Sequence, residues 1–237
     1  IPLAATLAYL ALLIVVLVWG HTRTTRWYAV VLVCAMLWSG CSFLIRAGVA
    51  PEYNQLWGEI LFFCGVALTV LYYRFVRSFQ NRKPDWIIGL GYLFLLGVAA
   101  LAAMGLFPRS ITSQDGILIM DRGPFLYPVF AVGFVFLGLS IVSLARQYKR
   151  LGDERVRTRT LYLLIGLCAI PIFSLLDLDD RLADLSIDHI GNLLNGFITT
   201  YAILRYNLLE IRFVVRRTLA TAVVASLFTV FYVGMLA

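Results

Sequence analysis

Long apolar blocks follow one another along almost the whole chain, separated by short polar connections. Seven blocks cover roughly residues 2–20, 27–48, 53–75, 86–107, 125–146, 160–177 and 187–205, and an eighth begins near Leu219. Each complete block is long enough to cross a hydrocarbon layer about 30 Å thick as a helix. None shows the alternation of apolar and polar residues that a membrane β-barrel strand needs. The pattern predicts an all-α polytopic membrane protein with seven transmembrane helices and a truncated eighth.

The composition excludes a soluble globular enzyme. Hydrophobic residues make up 61% of the 237 residues and charged residues 14%, whereas soluble domains average about 45–50% and about 25%. Eight spans of about 20 residues leave no room for a separate catalytic domain. The chain begins without Met and ends inside an apolar run, so we expect a piece of a longer protein. We place a seven-helix domain at residues 1–217 and the start of a further helix at residues 218–237.

The basic residues predict the orientation in the membrane. Sixteen of the 20 Lys and Arg residues lie in the first, third and fifth connections or after the seventh block, and the four others are Arg46, Arg109, Arg122 and Arg181. Cytoplasmic connections carry such an excess, so the amino terminus is expected outside and the end of span 7 in the cytoplasm. The net charge of +7 expresses this asymmetry, and no nucleic-acid partner is predicted.

A hairpin is predicted on the outer side of the membrane. The longest outer connection, Ile111–Pro124, carries Asp115–Gly116 between two apolar stretches. This dipeptide favours a two-residue turn between antiparallel strands. We therefore expect a short extracellular hairpin that covers the outer end of the helices.

Polar and aromatic residues within the spans predict a ligand pocket in the outer half, among spans 2, 3, 5, 6 and 7. Buried ionisable groups are costly in a membrane and find partners, which favours an ion pair between Arg46 and Glu59. The side chains at 189, 192 and 195 follow one another at intervals of three residues, on one helix face. The pocket candidates are Trp38, Arg46, Trp57, Glu59, Tyr127, Asp177, His189, Asn192 and Asn195.

Each of these features also has a simpler interpretation, which stays open. Arg46 can extend its guanidinium to the outer headgroups. The polar stripe of span 7 is equally typical of hydrogen bonds between helices. The aromatic residues are typical of a belt at the membrane interface.

Several membrane chemistries are excluded by missing residues. Both lysines, Lys83 and Lys149, lie in cytoplasmic connections, and a retinal Schiff base needs a lysine within a span. His21 and His189 lie at opposite faces, so they do not hold a haem together. No hydrolase, zinc-protease or nucleotide-binding motif occurs, and the four cysteines form no CxxC pair. We predict no catalytic residue, no cofactor and no metal.

The end of the seventh block resembles a known family. The stretch HIGNLLNGFITTYAILRYNLLEIRFVVRRTL (His189–Leu219) contains a Gly-Asn pair, a YAI-x-RY-x-LL-E-I signature and a basic turn before a further apolar segment. It is similar to the N-terminal seven-transmembrane region of bacterial sensor histidine kinases. The resemblance implies a sensory domain in the bacterial inner membrane, not itself an enzyme, that acts as a homodimer. It also implies an attached cytoplasmic output domain of the histidine kinase or diguanylate cyclase type.

The same segment predicts a route for the signal. After span 7 an apolar stripe and a basic stripe follow helical spacing, which suits an amphipathic helix on the anionic inner leaflet. A plain stop-transfer anchor is the alternative. The candidates for signal relay are Arg205, Tyr206, Glu210, Arg212, Arg216 and Arg217.

The function predicted from the sequence is detection of an extracellular, periplasmic or membrane-dissolved signal. The expected partners are the lipid bilayer and a small-molecule or lipid-like ligand. Two other functions stay open: a component of a transporter or channel, which inverted repeats and broken helices would indicate, and a structural membrane anchor or dimerisation module.

Overall fold

Seven long helices make up nearly all of the structure, a computed structural model that describes residues 1–20, 22–108, 110–114, 117–121, 123–176 and 187–207. They are α1 (Pro2–Trp19), α2 (Arg23–Arg46), α3 (Asn54–Phe79), α4 (Trp86–Ala103), α5 (Leu126–Arg150), α6 (Glu154–Leu176) and α7 (Ile187–Asn207). A short 3₁₀ turn, Pro51–Tyr53, precedes α3. The predicted seven-helix fold is confirmed. The predicted eighth helix and the boundary at residue 217 lie outside the described residues.

Side-chain caps allow very short connections between helices. The Thr22 hydroxyl accepts a hydrogen bond from the Thr25 backbone N–H at 3.2 Å, and the Thr25 hydroxyl accepts one from the Thr22 N–H at 3.0 Å. This reciprocal cap begins α2 directly after α1. Asp85 caps α4 in a similar way, with its carboxylate accepting from the Ile88 N–H at 3.3 Å. Both caps satisfy backbone donors that the first turn of a helix leaves unpaired.

The helices alternate in direction, so the connections collect at two ends. The hairpin end contains the start of α1, residues 47–53, the two strands between α4 and α5, and the start of α7. The basic end contains the end of α1, the start of α2, residues 80–85 and 151–153, and the end of α7. Within the bundle, α3 packs against α2, α4 and α5, while α7 packs against α6, α1 and α2.

A two-stranded hairpin lies between α4 and α5. Its strands are β1 (Ser110–Gln114) and β2 (Ile117–Asp121), which pair antiparallel with Gln114 opposite Ile117. The two strands agree with the predicted hairpin, while Asp115 and Gly116 lie outside the described residues. The strands pack near α2 and α3.

The outer surface of the bundle is apolar and its interior holds many of the polar side chains. Six helices, α1 to α6, are long and apolar enough to cross a membrane. Helix α7 is not among them because it carries polar side chains, and these are buried against its neighbours: His189, Asn195, Thr199 and Thr200. The Tyr28 hydroxyl of α2 lies 2.7 Å from the Gly196 carbonyl and 2.9 Å from the Thr200 hydroxyl. The chain is a multi-pass membrane protein with α7 in its interior.

Candidate ligand cavity

A cavity of about 290 Å³ lies in the half of the bundle nearest the hairpin end. Helices α2, α3, α5, α6 and α7 all contribute to its wall. The lining side chains that the argument below uses are Trp38, Ser42, Arg46, Leu61, Phe62, Thr69, Phe130, Phe134, Leu137, Asp188, His189 and Asn192. We call this space the hairpin-end cavity.

One wall of the cavity is polar and is built by α2 and α7. Trp38, Ser42 and Arg46 are spaced four residues apart and therefore share one face of α2. The Ser42 hydroxyl lies 3.1 Å from Nε2 of His189, and the rings of Trp38 and His189 are 4.0 Å apart between centroids. The His189 side chain is 2% exposed, and its Nδ1 has no hydrogen-bond partner. A buried ring nitrogen without a partner is available to a ligand.

The cavity contains one basic and one acidic side chain. Arg46 closes α2, and its Nε is buried without a hydrogen-bond partner. Asp188 accepts a hydrogen bond at 2.8 Å from the backbone N–H of His189, and the Asn192 amide donates to the Asp188 carbonyl at 3.0 Å. Donors and acceptors thus stand side by side at the polar wall, with opposite charges that offset each other.

The opposite wall is apolar, and two glycines, Gly65 and Gly133, leave space in the cavity because they carry no side chain. Phenylalanines from α3 and α5 line it together with leucines: Leu61, Phe62, Phe130, Phe134 and Leu137. A Cβ atom on Gly133 would lie 3.4 Å from the Thr69 hydroxyl, an ordinary contact. A longer side chain at Gly133 would extend into the cavity, and the same holds for Gly65 beside Trp38.

Four of the nine predicted pocket residues line this cavity: Trp38, Arg46, His189 and Asn192. Asn195 lies deeper in α7, where its amide donates to the Tyr72 hydroxyl and accepts from the Thr199 hydroxyl at 3.2 Å. That geometry matches the alternative of hydrogen bonds between helices. Trp57 packs partly buried against the core, and Tyr127 is 64% exposed. Asp177 lies outside the described residues.

The predicted ion pair between Arg46 and Glu59 is wrong. The Glu59 carboxylate accepts a hydrogen bond at 3.0 Å from the Gln55 amide, which also donates to the Pro108 carbonyl at 3.1 Å. Between described residues, an ion pair joins Arg77 to Asp85, at 3.3 Å. Gln55 lies one turn before Glu59 on the same helix and supplies the nearer donor, while Arg46 faces the cavity.

The relay candidates remain predictions. Arg205 and Tyr206 lie in the last turn of α7, but their side chains are outside the described residues. Glu210, Arg212, Arg216 and Arg217 are outside them altogether.

Sequence reasoning missed much of the wall, although part of it had a signal. Ser42 lies one helical turn from both Trp38 and Arg46, so the spacing alone would have added it. Thr69 and the two glycines Gly65 and Gly133 carry no charge or aromatic ring that would draw attention. Only their positions in the wall of the cavity identify them.

The described residues include no group of three or more His, Cys, Asp or Glu side chains that could hold a metal ion. All four cysteines are free. The side chains that line the hairpin-end cavity offer hydrogen bonds, charge and apolar contact.

Comparison with known families agrees with the helices and with the sequence signature. The family described as the N-terminal 7TM region of histidine kinase matches residues 3–212. The chain belongs to this family. The match spans all seven helices of this histidine-kinase 7TM region and encloses the hairpin-end cavity. No curated protein matches the chain. As a 7TM region of a histidine kinase, the chain is a membrane sensory input domain.

Proposed function

We propose that this 7TM region detects an amphipathic molecule in the hairpin-end cavity and relays its presence through α7 to a cytoplasmic histidine kinase domain. The observation that carries the proposal is the position of α7. Asp188, His189 and Asn192, in its first turns, line the cavity. The same helix continues to Asn207 at the basic end, towards the segment that would join the output domain.

The proposal places the basic end in the cytoplasm and the hairpin end outside the bacterial inner membrane. The support is the distribution of Lys and Arg: sixteen of 20 lie in or near the basic-end connections or at and after the end of α7. Positive residues accumulate on the cytoplasmic side. The hairpin-end cavity then lies in the outer leaflet, within reach of periplasmic and membrane-dissolved molecules.

The two walls of the cavity favour a ligand with a polar head and an apolar body. Arg46, Ser42 and His189 offer donors and acceptors for the head, and phenylalanines receive the body. Pockets of this kind take specificity from a few polar groups and affinity from apolar burial. Phe134 lines the cavity and is also 47% exposed on the bundle surface, which supports entry from the membrane.

The relay follows from differential affinity. A ligand shifts a protein towards whichever arrangement binds it more tightly. Gly191 of α7 packs so closely against Phe173 of α6 that an added Cβ would lie 2.4 Å from the Phe173 Cβ. Because the two helices are packed this closely, we expect α6 and α7 to move together relative to α2 and α3 when the cavity is filled.

The experiment fills the cavity by mutation in the protein joined to its kinase domain. Gly133→Leu places a side chain in the cavity, whereas Gly138→Leu changes the same helix where an added Cβ meets nothing within 4 Å. We expect Gly133→Leu to change basal autophosphorylation in lipid nanodiscs by about threefold or more, and Gly138→Leu to leave it unchanged.

Equal activity of both variants and the parent protein would contradict a sensory cavity. It would instead favour the structural anchor, in which case an unrelated membrane anchor should also preserve regulated output. Solute flux through the chain in liposomes would favour the transporter.

A further inference from the structure

A second pocket, at the basic end, lies between the end of α3, the start of α4 and the last turns of α5. It encloses about 340 Å³. The polar residues that line it are Tyr73, Arg77, Arg82, Asp85, Ser143, Arg146, Gln147 and Arg150, and the apolar ones are Ile87, Leu139 and Val142. We propose that this basic-end pocket binds a phosphate group, supplied by the headgroup of an anionic phospholipid. The inference uses the orientation proposed above but does not depend on the proposed sensory role.

The charge around the pocket is strongly positive. Four arginines line it, and Asp85 is the one acidic residue among the lining side chains. The Asp85 carboxylate is already engaged: it lies 3.3 Å from the Arg77 guanidinium and accepts a hydrogen bond at 2.8 Å from the Tyr73 hydroxyl. It also caps α4 through the Ile88 N–H. The remaining arginines are therefore not neutralised by it.

Several polar atoms in the pocket have no partner. Arg82, Arg146 and Arg150 are exposed and form no ion pair within 4.0 Å in the part of the chain that the structure describes. The Nε of Arg77 and the Oε1 of Gln147 are buried without a hydrogen-bond partner. Arginine forks match the oxygens of a phosphate group with two parallel hydrogen bonds. The pocket thus presents unused donors of the kind that bind phosphate.

The general excess of basic residues on the cytoplasmic side does not account for this arrangement. That excess explains how many arginines flank the spans. It does not explain why arginines from two segments far apart in the chain line the same pocket. Arg77 lies in the last turn of α3 and Arg82 in the connection that follows it, while Arg146 and Arg150 lie in the last turns of α5. Gln80 and Ser143 join α3 to α5 by hydrogen bonds of 3.1 and 3.0 Å, which fixes the two groups beside each other.

The apolar side of the pocket favours a lipid over a free phosphate. Ile87, Leu139 and Val142 line it, and Val142 is 44% exposed on the surface of the bundle. An acyl chain can follow this surface away from the basic residues into the hydrocarbon layer. Basic pockets between transmembrane helices on the cytoplasmic side suit anionic headgroups in this way.

The test counts bound lipids by native mass spectrometry of the purified chain in neutral detergent. Phosphatidylglycerol and phosphatidylcholine with the same acyl chains are compared. The pocket variant is Arg146→Gln with Arg150→Gln. Its charge-matched control is Arg23→Gln with Arg155→Gln, two exposed arginines at the basic end outside the pocket. All four positions are exposed, and an unchanged unfolding temperature checks that each variant folds.

We expect the parent chain to retain phosphatidylglycerol in preference to phosphatidylcholine. The pocket variant should weaken phosphatidylglycerol binding by about tenfold or more, and the control should leave it within about twofold of the parent. A second arm adds inorganic phosphate. Displacement of the lipid by millimolar phosphate would support the phosphate site with a soluble source, and no displacement would support the lipid. Equal losses in the two double variants, or equal retention of the two lipids, would overturn the proposal.

Discussion

Helices α4 and α7 are of similar length, but the apolar helix α4 is the more exposed and the more polar helix α7 is the more buried. Helix α4 (Trp86–Ala103) contains no charged residue, packs mainly against α3 and leaves large side chains such as Leu93 and Leu96 exposed. Helix α7 (Ile187–Asn207) carries histidine, asparagine and threonine side chains, and it packs against three other helices. The more apolar helix is the one that faces lipid.

This contrast shows what holds a membrane bundle together. Lipid chains are as apolar as leucine, so apolar side chains gain little by leaving them, and association depends on close packing and hydrogen bonds between helices. The polar residues of α7 are therefore an indication of its interior position. The same residues place a polar face beside the hairpin-end cavity on a helix that continues to the basic end.

The largest difference between the two helices should appear when a glycine is enlarged. Gly191→Val forces a Cβ to within 2.4 Å of Phe173, whereas Gly97→Val on α4 meets nothing within 4 Å. Overpacking costs about 1–3 kcal/mol, so we expect Gly191→Val to lower the free energy of unfolding by about 2 kcal/mol. Reversible unfolding in mixed micelles measures both variants. Similar losses in the two would show that α6 and α7 are not packed this closely.

A smaller effect is expected from the interhelical amide. Asn195→Leu removes the contacts with Tyr72 and Thr199 in a side chain of similar size. Hydrogen bonds between membrane helices contribute about 0.6 kcal/mol on average and up to about 1.7 kcal/mol. We therefore expect the free energy of unfolding to fall by about 1 kcal/mol in the same assay. Leu194→Ala, on the exposed side of α7, is the matched control. A greater loss of unfolding free energy in Leu194→Ala than in Asn195→Leu would contradict the assignment of Asn195 to the buried face of α7 and Leu194 to the exposed face.

The smallest loss of stability should come from removing the Thr200 hydroxyl, because its partner, the Tyr28 hydroxyl, keeps a second hydrogen bond. Thr200→Val removes the 2.9 Å contact with the Tyr28 hydroxyl, which still donates to the Gly196 carbonyl at 2.7 Å. We expect a loss of about 0.5 kcal/mol. Thr158→Val is the control because the Thr158 hydroxyl bonds within its own helix, to the Glu154 carbonyl. If the two threonine variants lose the same stability, the contact between α2 and α7 contributes nothing measurable.

The sequence was sufficient to predict the elements that depend on local pattern. Apolar blocks of membrane-spanning length predict the helices, and Asp115–Gly116 predicts the hairpin, because each depends on residues close together in the chain. The stripe at His189 and Asn192 predicts a polar helix face for the same reason.

The partners of that face could not be predicted. Whether Glu59 meets Arg46 or Gln55 depends on side-chain directions and on how α2 and α3 rotate against each other, which helical spacing does not determine. Asn195 belongs to the same stripe as His189, yet it contacts Tyr72 of α3 whereas His189 contacts Ser42 of α2. Helical spacing does not determine which neighbouring helix each residue of a stripe meets. Gly133 acquires its role only from the helices packed opposite it.

The central claim, that the hairpin-end cavity binds amphipathic molecules, is tested most directly through Trp38. Trp38 lines the cavity, and replacing the four other tryptophans, Trp19, Trp27, Trp57 and Trp86, by phenylalanine isolates its fluorescence. The probe is a brominated medium-chain alcohol added to nanodiscs that contain the chain. Because bromine quenches tryptophan at short range, occupation of the cavity is read as loss of emission.

We predict quenching that saturates as the probe fills the cavity. Gly133→Leu in the same background should abolish the saturable part, and Gly138→Leu should preserve it. Quenching that rises linearly with the amount of probe in the membrane, to the same extent in all three proteins, would contradict the account.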